Sequence, residues 1–289
     1  MTIFQKDKNT KYSITTQKFY YLCGFNSQKF ILQLNDLMKK LSLLIGLTMV
    51  FGICHAQDEL PTVVPDRPGF TYWAAVVQHH KITWDNGFAF ESMPDGERTV
   101  TLNSTMLRYG LFENMELRLG SDFLLSYDGL EPRPTFGVGP LTAGVKFKLN
   151  EGHGIIPTVG FLAELKSPHV GTKEQLPSHL APAMYAIFEH AIGERFWLCY
   201  NAGLEWDGET AAPKTFLAIG FGGNITESLG AFIETYHYLH REEKSQHLTE
   251  FGLTWLVSRR VQLDIEADMD FRNFGKHYGI GAGVSWMIN

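Results

Sequence analysis

Four acidic residues, Asp264, Glu266, Asp268 and Asp270, occupy alternate positions near the end of the chain. A spacing of two is the side-chain period of a β-strand, so the four carboxylates share one strand face. Such a face could attract or bind cations in a pore. It could equally pair with basic residues on neighbouring strands. The candidate basic partners are Arg118, Lys146, Lys148 and Lys166.

The same alternation of apolar and polar residues recurs along the chain after residue 80. Runs of this kind predict about twelve strands of the length that a tilted membrane strand needs. They lie near 81–92, 98–110, 115–126, 141–149, 155–166, 182–190, 196–206, 213–224, 229–240, 246–256, 261–272 and 277–288.

The connections between these runs are alternately short and long. The short connections are 111–114, 150–154, 191–195, 225–228 and 257–260. The longer connections are 128–140, 167–181, 207–212 and 241–245. This asymmetry is typical of outer-membrane barrels, whose short turns lie in the periplasm.

Strands with an apolar face toward lipid must pair on both edges, because lipid offers no hydrogen-bond partners. We therefore predict an all-β fold, an antiparallel transmembrane β-barrel of about twelve strands over residues 81–289. The polar face would then line a lumen. The candidate lumen-lining residues are Glu116, Arg118, Lys146, Lys148, Glu164, Lys166, Glu250, Asp264, Glu266, Asp268 and Asp270.

Ahead of the barrel, the sequence predicts an export signal. Residues 38–56 combine a basic start, an apolar stretch and small residues before a cleavage point after Ala56, as a secretory signal peptide does. A lipoprotein signal acylated at Cys54 is the weaker alternative. We interpret residues 1–37 as a start-site artefact or a disordered extension, and residues 57–80 as a periplasmic N-terminal segment.

Charge and cysteine content exclude other classes of protein. Removal of residues 1–56 takes away seven of 25 Lys and Arg and two of 31 Asp and Glu, which leaves a formal charge of −11. A chain this acidic is a poor partner for nucleic acid. Cys199 is the single cysteine after Ala56, so the exported chain has no internal disulfide.

Several short sequence motifs resemble those of a known family. They are Asp66-Arg67-Pro68, Leu107-Arg108-Tyr109-Gly110-Leu111 with the following Glu113 to Arg118, Leu141 to Leu149, and the closing Gly283 to Asn289. Together they are similar to the family named "putative MetA-pathway of phenol degradation", whose members are often called transporters. The resemblance covers about residues 60–289. It implies an outer-membrane barrel that passes small compounds, aromatic ones among them, and it carries no catalytic motif.

Two function classes follow from these patterns. The leading prediction is an outer-membrane channel or transporter for small aromatic or hydrophobic solutes. Its surroundings would be outer-membrane lipid, and the sequence predicts no particular oligomeric state. The alternatives are a barrel-type lipid hydrolase, which would need a serine with a histidine partner, and a soluble secreted β-sandwich. No phosphate loop, metalloprotease motif or nucleophile elbow is present, so no enzyme activity, cofactor or metal is predicted. His237, His240, His247 and His277 could meet at one rim, but solvated loop histidines are the favoured interpretation.

Overall fold

The computed structural model describes residues 62–127, 134–240, 245–273 and 275–288. The predicted segments 1–37 and 38–56 lie outside these residues. The strands within them are β1 (Ile82–Ser92), β2 (Arg98–Phe112), β3 (Met115–Tyr127), β4 (Thr135–Val138), β5 (Thr142–Lys148), β6 (Thr158–Lys166), β7 (Ala181–Ile192), β8 (Phe196–Glu205), β9 (Lys214–Asn224), β10 (Leu229–Leu239), β11 (Gln246–Ser258), β12 (Val261–Met269) and β13 (Tyr278–Met287). Two short 3-10 turns, Lys173–Gln175 and Phe271–Asn273, complete the described elements. Neither of these helical turns is long and apolar enough to cross a bilayer.

The strands form one closed antiparallel sheet. Each strand pairs with its neighbours in the sheet, and β1 pairs with β13 through a register that places Gly87 opposite Gly283. β4 and β5 both pair with β3, one beyond the other, and together fill a single position in the wall. The barrel therefore has twelve positions, which confirms the predicted fold class.

β4 is a difference from the sequence analysis, which left residues 128–140 as a connection. β3 extends beyond the end of its pairing with β5, and its remaining backbone groups need partners in a membrane. Thr135–Val138 supplies them, with Phe123 opposite Val138 and Ser126 opposite Thr135.

The two ends of the barrel differ. The connections 113–114, 193–195, 225–228 and 259–260 lie at one end, here called the short-turn end. The start of β1 and the end of β13 lie there as well, because β1 begins opposite the end of its partner β13. The connections 93–97, 167–180, 206–213 and 270–277 lie at the opposite end, here called the long-loop end.

The outer face is apolar. Leu263 and Ile265 of β12 and Ile280 of β13 are exposed, while Asp264, between the first two, is 4% exposed. An apolar face turned outward is suited to lipid and excludes the soluble β-sandwich alternative, which would bury that face.

Tryptophans mark the short-turn end of this outer face. Trp84 lies opposite Trp286 in the β1–β13 pair, and Trp255 is 52% exposed. Trp197 lies near the same end, at the start of β8, but does not belong to this group. Trp197 points into the lumen, where its ring centroid lies 4.2 Å from that of Trp73.

Candidate functional site

Residues 63–78, here called the plug, run through the lumen of the barrel. The plug starts at the short-turn end, where the Val63 amide donates to the Arg259 carbonyl in the β11–β12 turn at 2.7 Å. It also ends there, because the Gln78 side-chain amide donates to the Thr62 carbonyl at 2.9 Å. The plug is therefore a loop that enters and leaves the lumen at the same end.

Side chains of the barrel wall hold the backbone of the plug. Backbone N–H groups that lack a strand partner need other acceptors when they are buried. The amide donors and their side-chain acceptors are Gly69 to Glu266, Phe70 and Thr71 to Glu234, Tyr72 to Asn201, Ala74 to Glu189, and Val77 to Glu116. These acceptors come from β12, β10, β8, β7 and β3, so the plug contacts most of the circumference.

This position corrects the prediction of a periplasmic segment at residues 57–80. Residues 63–78 lie inside the barrel, and residues 57–61 lie outside the described part of the chain. The segment has no alternating pattern of its own, and the wall acceptors lie 39 to 197 positions further along the chain. Contacts at such separations leave no local signature in the sequence.

Asp66 carries a negative charge into a cluster of three buried cations. The Lys146 ammonium lies 2.8 Å from one Asp66 oxygen, Arg118 forms a second ion pair with the same carboxylate, and Arg108 lies 3.6 Å away. Glu116 supplies a second carboxylate and accepts two hydrogen bonds from Arg108, at 2.9 and 2.8 Å. Each of these side chains is at most 5% exposed, so the charges depend on one another for compensation.

Arg67 points to the neighbouring part of the wall, formed by β1, β13 and β12. Its guanidinium lies 3.2 Å from Asp264 and 3.3 Å from Glu266, both on β12. Two facing glycines make room for it. A Cβ at Gly87 would approach an Arg67 nitrogen to 2.0 Å, and one at Gly283 would approach another to 2.3 Å. The alternate glycines of β13 thus leave lumen space, as their spacing in the sequence indicates.

An apolar and aromatic cluster fills the side of the lumen formed by β6 to β11. Its members are Ala74, Leu162, Ala183, Tyr185, Ile187, Cys199, Phe216, Ala218, Tyr236 and Leu248. Tyr72 of the plug packs against this cluster, with its ring centroid 4.7 Å from that of Tyr185. Phe70 stacks on Tyr236 at 4.2 Å. The lumen therefore offers charges on one side and aromatic rings on the other.

The predicted lumen-lining residues fall into two groups. Those on the inner face of the wall are Glu116, Arg118, Lys146, Glu164, Glu250, Asp264, Glu266 and Asp268. The remaining three lie at the barrel ends. Lys148 pairs with Glu151 at the short-turn end, and Lys166 is exposed at the long-loop end. Asp270 follows β12 and accepts a hydrogen bond from the side chain of Asn273 at 2.7 Å.

Sequence reasoning missed several residues that hold the plug: Asp66, Arg67, Arg108, Glu189, Asn201 and Glu234. Around Arg108, apolar and polar residues do not alternate regularly, so the pattern does not show which side chains face inward. Glu189 and Glu234 lie inside predicted strands, and a charged residue in the middle of a membrane strand can only face the lumen. That rule is the signal by which they could have been found.

Two connections at the long-loop end each contain a titratable side chain whose pKa differs from its usual value. The pKa of Asp207 lies below its usual range because the backbone amides of Thr210 and Glu209 donate to its carboxylate. The pKa of His277 is raised by a hydrogen bond to Glu91 and by the negative charge of that carboxylate.

Three of the four histidines considered at one rim, His237, His247 and His277, do not form one group in the described residues. His237 and His247 contact each other with 2.7 Å between their Nδ1 atoms, whereas His277 contacts Glu91 at 3.4 Å. Within the described ranges, no group of three or more His, Cys, Asp or Glu side chains is arranged to hold a metal ion.

Ser121 and Ser285, two serines on the strands, have no histidine hydrogen-bond partner in the part of the chain described. The Ser121 hydroxyl donates to the Gly139 carbonyl at 2.8 Å. Ser285 is fully buried in the wall opposite Asp85. A lipid hydrolase needs an accessible serine beside a base, and neither residue meets that requirement.

A closed barrel with an apolar outer face and a charged inner face defines an outer-membrane β-barrel of the channel class. The family model described as "Putative MetA-pathway of phenol degradation" matches residues 65–288, and the chain belongs to this family. Among curated proteins, no match to the chain is found.

One solved structure of an outer-membrane channel shares the fold, and a second is similar with a lower score. The COG4313 outer membrane channel from Pseudomonas putida F1 is similar over 81% of this chain and 100% of that chain, with 13% identity and a TM-score of 0.55. The KdgM porin in complex with disordered oligogalacturonate is similar over 71% of this chain and 99% of that chain, with 9% identity and a TM-score of 0.49.

Proposed function

We propose that this outer-membrane barrel is a channel for small solutes and that the plug controls passage. The observation that carries the proposal is the set of contacts between the plug and the inner wall. The plug occupies the lumen and is held from five strands, so it obstructs the path of a solute. Passage therefore requires that the plug move.

The way the plug is attached supports movement. Its backbone is bound to wall side chains and not to strand edges, so leaving the lumen breaks no β-ladder. The wall carboxylates that it releases can be hydrated in a wet lumen. Both ends of the plug lie at the short-turn end, so the loop can withdraw toward that end without threading through the barrel.

The character of the lumen supports a solute class. Tyr185, Phe216 and Tyr236 form an apolar wall that can contact rings and hydrocarbon. Small aromatic or hydrophobic compounds are therefore the solutes we propose, in agreement with the family description. We also propose export through the signal at residues 38–56, which intact mass measurement of the natural protein tests by placing its first residue at Gln57.

A disulfide tether tests the moving plug. A Cβ built at Gly160 of β6 lies 3.4 Å from the Cβ of Ala74, close to the separation of about 3.5–4.5 Å found in disulfides. The double variant Ala74→Cys with Gly160→Cys, in a Cys199→Ala background, should lock the plug to the wall. Planar-bilayer recordings should show almost no openings when it is oxidised and normal openings after reduction.

The matched control is Ala74→Cys alone in the same background, whose openings should not respond to reductant. If the oxidised double variant conducts as well as the reduced one, the plug is not the gate. If the untethered protein never conducts and never releases small solutes from liposomes, the channel function itself is wrong.

A further inference from the structure

A row of carboxylates crosses the inner wall on the long-loop side of Arg67. Glu234 pairs with Glu250 across β10 and β11, and Glu250 pairs with Asp268 on β12. Gly279 of β13 pairs with Asp268 on one side and with Glu91 of β1 on the other. These four carboxylates, here called the acidic row, occupy registered inner-face positions, with Gly279 between Asp268 and Glu91.

In the described ranges, Glu250 forms no salt bridge with a basic side chain. It is 1% exposed, and no basic side chain or backbone amide among the described residues donates a hydrogen bond to its carboxylate. The groups that act on it electrostatically are Glu234, Glu266 and Asp268, all of them acidic. A buried carboxylate surrounded by other carboxylates is costly without a positive partner.

Two other carboxylates of the row, Glu234 and Glu91, accept hydrogen bonds from the protein itself. Glu234 accepts hydrogen bonds from the plug amides, and Glu91 accepts one from His277. Arg67 reaches Asp264 and Glu266, which lie closer to the short-turn end. A positive group from outside the protein would therefore complete the row at Glu250 and Asp268.

Aromatic rings border the acidic row. Tyr236 follows Glu234 on the inner face of β10, and Phe70 of the plug stacks on it. Phe70 is 43% exposed although it lies inside the barrel, so its ring faces open lumen space. Carboxylates beside aromatic faces are the combination that recognises ammonium groups carried on an organic body.

We propose that the acidic row, together with Phe70 and Tyr236, binds a small organic cation with an ammonium or guanidinium group on a hydrocarbon or aromatic body. The positive group would lie between Glu250 and Asp268, and the body would contact Phe70. This deepens the proposed channel function, on which it rests, by naming the charge of the solute. An organic cation fits better than a metal ion, because the described residues include no metal-spaced cluster.

Calorimetric titration of the full protein in detergent tests this site with three probes of similar shape. Benzylammonium should bind saturably, whereas benzyl alcohol and benzoate should not. Glu250→Gln and Asp268→Asn should each weaken benzylammonium binding about tenfold, the loss expected when one of several charges is removed. The matched control Glu151→Gln removes a carboxylate at an exposed turn and should leave the affinity unchanged.

A second variant tests the aromatic contact. Phe70→Leu should reduce the preference for benzylammonium over methylammonium while methylammonium binding stays the same. The comparison of probes on the unaltered protein does not depend on whether any variant folds. Equal binding of benzyl alcohol and benzylammonium would overturn the site, as would an unchanged affinity in a folded Glu250→Gln protein.

Conductance separates the two proposals. A protein that conducts but shows no charge-selective binding retains the channel function and loses the cation site. A protein that binds benzylammonium selectively but never conducts supports the site and overturns the channel function.

Discussion

The Lys146 ammonium donates hydrogen bonds to both carboxylate oxygens of Asp66, at 2.8 and 3.0 Å, although 80 positions separate the two residues. Lys146 belongs to the wall and Asp66 to the plug, and both side chains are almost wholly buried. The ion pair therefore connects a segment without regular structure to a rigid strand. Such a connection is specific in geometry yet can be broken without unfolding the barrel.

Asp66→Asn should loosen the plug. The substitution keeps the shape of the side chain but leaves Arg108, Arg118 and Lys146 without their shared anion. Breaking a buried ion pair on one side costs about 3 kcal/mol or more. We expect roughly a hundredfold higher open probability in planar-bilayer recordings, since 1.4 kcal/mol corresponds to about tenfold in an equilibrium.

Glu151→Gln is the control for this variant, because it removes a carboxylate from an exposed pair with Lys148. Exposed pairs contribute only about 0–1 kcal/mol. An Asp66→Asn channel that opens no more often than this control would show that the charge cluster does not hold the plug.

Gly110→Ala should displace the plug where it leaves the lumen. A Cβ at Gly110 would approach the backbone oxygens of Gln78 and Val77 to 2.1 and 2.5 Å, and backbone atoms cannot move aside as a flexible side chain can. We expect faster hydrogen exchange at the amides of residues 74–78 and unchanged exchange in the strands away from this contact. Gly139→Ala is the matched control, because its nearest neighbours would be 3.5 Å away. Equal exchange in the two variants would contradict a tight contact at Gly110.

Much of the wall could be predicted from the sequence. Each strand of the wall faces lipid on one side and polar groups on the other, so apolar and polar residues alternate along it. This alternation is visible in Val261–Met269. The alternating connection lengths then give the order and direction of the strands. Glu250, Asp264 and Asp268 were placed on one inner face for the same reason.

The plug could not be predicted in this way. Its structure depends on pairs such as Gly69 with Glu266, which no local period reveals. One feature of the sequence does indicate a buried segment. Residues 72–77 are apolar, and the charged residues Asp66 and Arg67 precede them. An apolar stretch that belongs to no strand needs a buried partner. In a barrel with charges of both signs on its inner face, the lumen can supply that partner.

Arg67→Ala should change both opening and ion selectivity. Without the guanidinium, Asp264 and Glu266 lose their positive partner and the lumen becomes more negative. Rings of carboxylates favour cations in pores. We expect more frequent openings and a reversal potential in a KCl gradient that moves toward the potassium equilibrium potential.

Two further substitutions sharpen that prediction. Arg67→Lys keeps the charge but not the planar fork, so its effect should be intermediate. Arg195→Ala removes a positive charge from an exposed short turn and should change neither property. A reversal potential that is the same for Arg67→Ala and the original protein would contradict a charge-selective lumen.

His277 should make the β12–β13 connection sensitive to pH. Its imidazole contacts Glu91 at 3.4 Å, and this partner raises the pKa of His277 above the usual value of about 6.5. A raised pKa in the folded state means that the contact stabilises the connection fully below about pH 6.5. The stabilisation is lost as the pH rises through the raised pKa of the folded state.

Hydrogen exchange in the detergent-solubilised protein measures this effect. After correction for the intrinsic pH dependence of exchange, the amides of Asp270 and His277 should be better protected at pH 6 than at pH 8.5, because each donates to a carbonyl within the connection. In His277→Gln the protection should be lower and nearly independent of pH. His169→Gln, at an exposed position of a different long loop, should behave like the original protein. If His277→Gln retains the full pH dependence, another group is responsible, and the contact with Glu91 does not stabilise this end of the barrel.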